Sequence, residues 1–141
     1  MAYSNEVVRP MSLAIIRNSS GQILVSPGHD KVKKQSFFRL LGGGIDLGET
    51  SLEALKREFK EELNVELTNC KLLDVVENIF YFNGSIGHEI IFVYEAEFLD
   101  KNNYSITEFP ILDSNDKFKA SWLDLKKFPN SIIYPNISAW L

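Results

Sequence analysis

The sequence predicts a mixed α+β domain, on three observations. First, 141 residues with 45% hydrophobic and 24% charged side chains suit one globular domain with its own core. Second, the hydrophobic period changes from short strand-like runs to a three-and-four spacing after Thr50, then to alternation in the second half. Third, the stretches run as strands, one central helix, strands and a short terminal helix, the order of an α+β or mixed-sheet fold. No internal repeat and no linker interrupts the chain, so residues 1–141 are read as a single domain.

Met11 to Ile16 is a short apolar run closed by the turn signal Asn18-Ser19-Ser20-Gly21, and Ile23 to Val25 follows before Pro27-Gly28. Two such runs around a glycine-containing turn predict a β-hairpin. Lys31, Lys33 and Lys34 read as a solvated loop, and Phe37 to Leu41 as a third strand ended by Gly42-Gly43-Gly44. From Thr50 onward, Leu52, Leu55, Phe59 and Leu63 form a helical apolar stripe. Thr50 with Glu53 fits a capping box, and Asn64 suits the left-handed residue that closes a helix. Both ends of a helix of about fourteen residues are thereby marked. Leu72 to Phe82 and Glu89 to Phe98 read as strands joined by the turn Asn83-Gly84-Ser85-Ile86-Gly87. Lys101 to Lys117 is polar and loop-like, Ala120 to Leu123 is a last strand, and Ser131 to Leu141 a short helix with Pro135 near its first turn.

Composition removes several function classes. Lys plus Arg is 15 and Asp plus Glu is 19, a net charge of −4. That balance supplies no general basic field for a nucleic-acid backbone. A single cysteine, Cys70, excludes an internal disulfide framework, and with only His29 and His88 a Cys/His zinc cluster is excluded too. Met1 to Met11 carries Glu6, Arg9 and Pro10 without an apolar stretch, so it does not read as a signal peptide. No apolar run approaches the ~18 residues that span a bilayer. A cytoplasmic protein without a membrane partner is the expectation.

On a helical wheel, Leu52, Leu55, Phe59 and Leu63 share one narrow arc. Glu53, Lys56, Lys60 and Asn64 face solvent, and Glu58, Glu61 and Glu62 gather beside the apolar arc. Side chains three and four apart stand one above another. Like charges so placed cost roughly 0.2–0.5 kcal/mol per pair, so stability alone does not select them. The ordinary reading is a solvated acidic face. Two features argue for more: the carboxylates sit at the rim of the core, and a loop with four glycines in seven residues, Gly42 to Gly48, leads into the helix. Glycines permit positive φ and close backbone approach. Clustered carboxylates without Cys or His are a site for a hard cation, Mg²⁺ or Mn²⁺, which shares its shell with substrate phosphates. Such a cation lets an acidic protein hold a polyphosphate.

Gly43, five residues, Glu49, seven residues, then Arg57-Glu58-Phe59-Lys60-Glu61-Glu62-Leu63-Asn64-Val65 resembles the Nudix box. Every fixed position matches except the last glycine, here Asn64, the next-best residue for a left-handed helix end. The resemblance implies an α/β/α sandwich around a mixed sheet. It implies a hydrolase that cleaves the diphosphate linkage of a nucleotide or nucleoside diphosphate derivative. By the same resemblance Glu58, Glu61 and Glu62 ligate divalent metal, Gly43 adds its carbonyl, and Arg57 pairs with Glu49 to stiffen the loop–helix unit. A homodimer is compatible with the family.

The mechanism expected is attack of an activated water on phosphorus, with a glutamate taking the proton. Glu58 and Glu61 are the first candidates for that catalytic base. Glu89, Glu108 and Asp116 are candidates outside the box. Arg39, Glu77, Tyr81 and Glu89 are candidate substrate contacts, with His88 and the run Phe80, Tyr81, Phe82 nearby. The partner expected is a small nucleotide, not a nucleic acid. Two rivals stand beside this reading: a nucleotide-binding module of the same fold without catalysis, and an isoprenoid diphosphate isomerase, for which Cys70 is the available nucleophile.

Overall fold

The computed structural model describes residues 7–112 and 119–141. Nine strands and one α-helix follow in the order β1 (Arg9–Ile15), β2 (Ile23–Asp30), β3 (Gln35–Arg39), β4 (Leu41–Gly44), α1 (Ser51–Leu63), β5 (Leu67–Phe82), β6 (Ser85–Phe98), β7 (Glu108–Pro110), β8 (Lys119–Leu123) and β9 (Ile133–Tyr134). They form a four-stranded sheet ordered β4-β1-β6-β5 and a five-stranded sheet ordered β7-β8-β2-β3-β9. Both are mixed. β1 runs parallel to β6 and antiparallel to β4, while β3 runs parallel to β9 and antiparallel to β2. The expected mixed α+β class is what the molecule adopts.

Alternation along β1 and β6 sends side chains to two cores. Ala14, Tyr94, Ala96 and Phe98 meet Leu55, Phe59 and Leu63 of α1 on one face. Met11, Leu13, Ile15, Ile91 and Val93 meet Ile23, Val25 and Leu40 from the second sheet on the other. The helix forms as its sequence predicts. Thr50 is its N-cap with a complete capping box, and Asn64 closes it at φ 54°, ψ 42°. Ser12, fully buried, donates to the Ser51 carbonyl at 2.8 Å and docks the first turn of α1 on β1.

Four local expectations are corrected. β1 and β2 do not form a hairpin. They enter different sheets, and the isolated bridge Arg17↔Ile23 lies past the end of β1. Pro27-Gly28 does not end β2, which runs on to Asp30 after exchanging β8 for β3 as partner. Pro27 sits where only one flank is paired, the setting in which a strand tolerates proline. The triple glycine does not merely end a strand. Gly42, Gly43 and Gly44 lie in β4 against β1. A Cβ on Gly42 would lie 2.1 Å from the Ser12 carbonyl oxygen, and its φ is +142°, so only glycine fits there.

The C-terminal helix expected over residues 131–141 is absent. Ile133–Tyr134 adds to β3, and only a short 3₁₀ turn, Ser138–Trp140, follows. An isolated helix of that length is marginal, and packing wins. Ile137 is buried, and Ile133 and Trp140 cover the core between the sheets. The sandwich therefore has its helix on one side and a second sheet on the other. Within the segment read as loop, a 3₁₀ turn (Lys101–Ser105) precedes β7.

Candidate active site

The first cluster grows from one local unit. In the loop from β4 to α1, the Asp46 amide donates to the Glu49 carboxylate at 2.9 Å and the Glu49 amide to the Asp46 carbonyl at 3.0 Å. Gly48 supplies the positive φ of the turn, +89°. Arg57, in the second turn of α1, reaches back across this loop. Its Nε and Nη2 grip Glu49 at 2.7 and 2.9 Å, and Nη2 also donates to the Gly44 carbonyl at 2.9 Å. The fork–fork pair fixes geometry as well as energy. Hydrogen bonds from Arg57 and from the Asp46 amide hold the Glu49 carboxyl below the usual carboxylate range. Glu49 in turn, followed by Glu58, keeps Arg57 protonated at all ordinary pH.

The remaining nitrogen of Arg57 gathers the helix carboxylates. Nη1 donates to Glu58 at 2.9 Å and to Glu61 at 3.1 Å. Glu58 is 13% exposed and Glu61 52%. The Glu58 carboxyl lies directly against Gly43, where a Cβ would stand 2.3 Å from its carboxyl carbon. The glycine at 43 is a cradle that any side chain would fill. Glu62, partly buried, is one helical turn beyond Glu58, and its carbonyl accepts the Leu112 amide at 2.8 Å. Glu58 and Glu61 face Arg57 in this arrangement. Among the described residues, no three His, Cys, Asp or Glu side chains are drawn together to metal-binding distance.

A second polar feature lies between the sheets. A cleft is lined by Leu13, Asp30, Lys33, Gln35, Phe37, Arg39, Asn78, Phe80, Tyr81, Phe82, Glu89, Tyr134 and Pro135. Glu89 is 2% exposed, and Arg39 Nη2 lies 3.8 Å from its Oε2. Burial pushes its carboxyl up, against the pull of Arg39, Arg9 and a hydrogen bond from Asn78. Its Oε2 is buried without a hydrogen-bond partner. Of the expected substrate contacts, the cleft thus collects Arg39, Tyr81 and Glu89, although Tyr81 stays 60% exposed. Glu77 is exposed and does not line it. Its neighbour Asn78, paired with Glu89 across β5 and β6, does.

The outlying candidates fall elsewhere. Glu108 sits on β7 and pairs with Lys119 at 3.1 Å, and Asp116 lies outside the described residues. Cys70 packs against the helix-side core, where burial raises its thiol, and it does not line the cleft.

Sequence reasoning missed Asp30. Its Oδ1 accepts the Val32 and Lys33 amides, both at 2.9 Å, and its Oδ2 the Asn83 amide at 3.2 Å. The Lys33 amide is the main reason its carboxyl stays below the ordinary range. An aspartate before a tight turn is the signal for such amide bonds. Phe37 and Tyr134 reach the cleft only through tertiary pairing, which no local pattern announces.

A two-sheet fold carrying a glycine strand, one capped helix and an arginine that ties them defines a recognisable class of protein. A family model of the NUDIX domain matches residues 8–141, and the chain belongs to the Nudix family. An 8-oxo-dGTP diphosphatase from Haemophilus influenzae is 37% identical over 67 residues, 45% of this chain and 47% of that protein. The matched stretch thus spans about half the length of that relative. An RNA pyrophosphohydrolase from Bartonella clarridgeiae is 26% identical over 125 residues, 80% of this chain and 71% of its own. The solved structure of a MutT NUDIX hydrolase from Burkholderia pseudomallei shares the fold with a TM-score of 0.66 at 27% identity, covering 92% of each chain.

Proposed function

We propose that this protein is a metal-dependent pyrophosphohydrolase that cleaves the diphosphate linkage of a nucleotide or nucleoside diphosphate derivative by attack of water on phosphorus. The observation that carries this reading is the Glu58 carboxyl seated on Gly43, with Glu61 converging on the same Arg57 nitrogen. Both relatives named above as hydrolases of phosphate anhydrides, the 8-oxo-dGTP diphosphatase and the RNA pyrophosphohydrolase, support it.

The donor set fits a hard divalent cation, Mg²⁺ or Mn²⁺, since it is all oxygen and beside a side-chain-free strand. Glu58, Glu61 and Glu62 with the Gly43 carbonyl would hold it. When bound, it supplies positive charge against the bridging phosphate oxygens and lowers the pKa of water. The protein's own part is then positional. Arg57 keeps Glu49 and the Gly44 carbonyl while releasing Glu58 and Glu61 from Nη1. Glu58 or Glu61 takes the proton of the attacking water. Glu89 and Asp116 remain the bases to test outside the box. In Glu108 the carboxylate is engaged by Lys119.

Glu61→Gln removes one charge at nearly constant shape. Turnover with Mg²⁺ is expected to fall well beyond threefold on a panel of nucleotide sugars, dinucleotides, nucleoside triphosphates and triphosphate-ended RNA. A loss within about threefold would refute the metal-site assignment. The net charge of −4 favours a small nucleotide over RNA, and the panel decides between them. Tight binding of a nucleotide that Mg²⁺ and Mn²⁺ never cleave would favour the binding-module reading. Burial of Cys70 away from the cleft speaks against the isomerase, which full activity of Cys70→Ala would dismiss. No helix among the described residues is long and apolar enough to cross a membrane. A cytoplasmic homodimer completes the proposal, with size-exclusion chromatography as its check.

A further inference from the structure

We infer that the outer edge of β5 is a self-pairing surface: two copies of this chain join there as antiparallel strands, two-fold about Ile79, into one continuous sheet. This gives a surface to the homodimer proposed above and rests on that proposal, not on the hydrolysis.

β5 ends its sheet, with β6 on one side and no strand among the described residues on the other. Natural proteins guard such edges with proline, lysine, bulges or short length. β5 carries guards only in its first half. Its register shifts lie between Thr68 and Lys71 and between Leu72 and Asp74, and its one lysine is Lys71. From Val75 to Phe82 the pairing with β6 is regular. That stretch holds no proline, glycine or lysine, and Glu77 is its single charge.

The hairpin fixes which backbone groups face outward. Asn83 and Gly84 form a two-residue turn, both at positive φ, so the closing pair Phe82 and Ser85 exchanges hydrogen bonds. Bonded and non-bonded pairs alternate along an antiparallel ladder. Phe80, Asn78 and Val76 therefore bond inward to β6, and Tyr81, Ile79, Glu77 and Val75 turn their N–H and C=O groups outward. One contact agrees: the Val75 amide donates to the Asp74 carboxylate at 2.8 Å. Asp74 thus closes the first outward amide and leaves those of Glu77, Ile79 and Tyr81. Side chains alternate in step. Val75, Glu77, Ile79 and Tyr81 are exposed, and the residues between them are half-buried.

These open positions select the register. A two-fold at Ile79 sets Ile79 opposite Ile79 of the second copy, and Glu77 opposite Tyr81 in both directions. Each of these pairs can exchange two hydrogen bonds. A two-fold at Glu77 would set two carboxylates face to face, which destabilises. One at Asn78 would need the Val75 amide that Asp74 already holds. At Ile79 the only carboxylate of the stretch stands opposite a phenol hydroxyl, a donor, and two apolar side chains meet on the axis. Ile79 also lies midway between Val75, just past the last bulge, and Asn83 of the turn, so the ladder ends symmetrically.

Length sets the strength. Val75 to Phe82 spans about 27 Å at ~3.4 Å per residue, and a sheet about 10 Å thick then gives on the order of 300 Å² of contact per copy. A stable interface takes about 800 Å² per partner. The dimer is accordingly weak and reversible.

The test is hydrogen exchange of the full chain, read residue by residue by NMR at about 20 μM and about 1 mM, a range that spans weak association. The Glu77, Ile79 and Tyr81 amides are expected to exchange about tenfold or more slowly at the higher concentration, with Val76, Asn78 and Phe80 protected at both. Sedimentation velocity over the same range should show monomer passing to dimer. Ile79→Lys, at an exposed position outside the cleft lining, puts two ammonium groups on the axis and is expected to stay monomeric throughout. A dimer that leaves the three outward amides unprotected, or that persists in Ile79→Lys, would overturn this surface and keep the homodimer. A monomer at the higher concentration would overturn both. The wild-type exchange pattern decides the matter even where the variant fails to fold, and turnover on the nucleotide panel tests the hydrolase separately.

Discussion

Among the described residues, every partner of Arg57 lies within thirteen residues of it in the chain, whereas the Glu89 cleft draws its walls from Leu13 through Pro135. The first region is assembled by a turn, a cap and one helix. The second exists only once two sheets have closed on each other. The charge logic differs in the same way. Around Arg57, three carboxylates share one guanidinium, each with a hydrogen bond from it, and the cluster stays net negative. In the cleft, one carboxylate is buried with an oxygen unpaired. A locally built cluster takes its hydrogen bonds from nearby chain, while a group buried by the closing of two sheets depends on what the facing elements bring.

The largest effect that separates the two regions is expected from Gly43→Ala. Its Cβ would collide with the Glu58 carboxyl. A displacement of about 1 Å at a reacting centre costs on the order of a hundredfold in rate. Steady-state kinetics should show that loss. Arg57→Lys comes next. A single ammonium cannot hold Glu49 and the Gly44 carbonyl together, and loss of such a supporting partner costs roughly 10–100-fold in activity or metal affinity. Turnover at saturating and limiting Mg²⁺ would distinguish the two costs.

Asp30→Asn probes the cleft instead. The Asp30 carboxyl is held below its ordinary value of 3.8 by the Lys33, Asn83 and Val32 amides. Its stabilisation is therefore complete above that value and is lost as pH falls through the lowered folded value. Thermal melts should show the variant several degrees below wild type at neutral pH, with the gap closing in acid. A gap that widened in acid would contradict the amide contacts. Thr50→Ala should have the smallest effect, about 1 kcal/mol from loss of the cap, read as a shift of about 3 °C in Tm.

This contrast also explains how much was legible in the sequence. Thr50, Glu53 and Asn64 act on backbone within five residues of themselves, and so their roles follow from spacing. The placement of Glu49 and Arg57 followed from the family resemblance, and the structure holds the pair at 2.7 Å. The cleft followed less well. Alternation could show that neighbours such as Glu77 and Asn78 point to opposite faces of β5. It could not show which face meets the second sheet. The C-terminal segment misled for the same reason. Ile133 and Tyr134 are taken by the edge of β3, a long-range pairing that overrides a short helical pattern. Pro27-Gly28 misled because turn residues are permitted where a strand changes partners.

The Asp30 contacts carry one more consequence. The Val32 and Lys33 amides end on Asp30, the Lys31 amide ends on the Asn83 side chain at 2.7 Å, and the Asn83 amide ends on Asp30. Asn83 and Gly84 form the tip of the β5–β6 hairpin, both at positive φ, and Asp30 opens the turn between β2 and β3. The two sheets are thus stitched at their tips by two short side chains serving four amides. Those four protons should exchange with solvent at one shared rate, set by a single opening event, and that rate times the parting of the sheets.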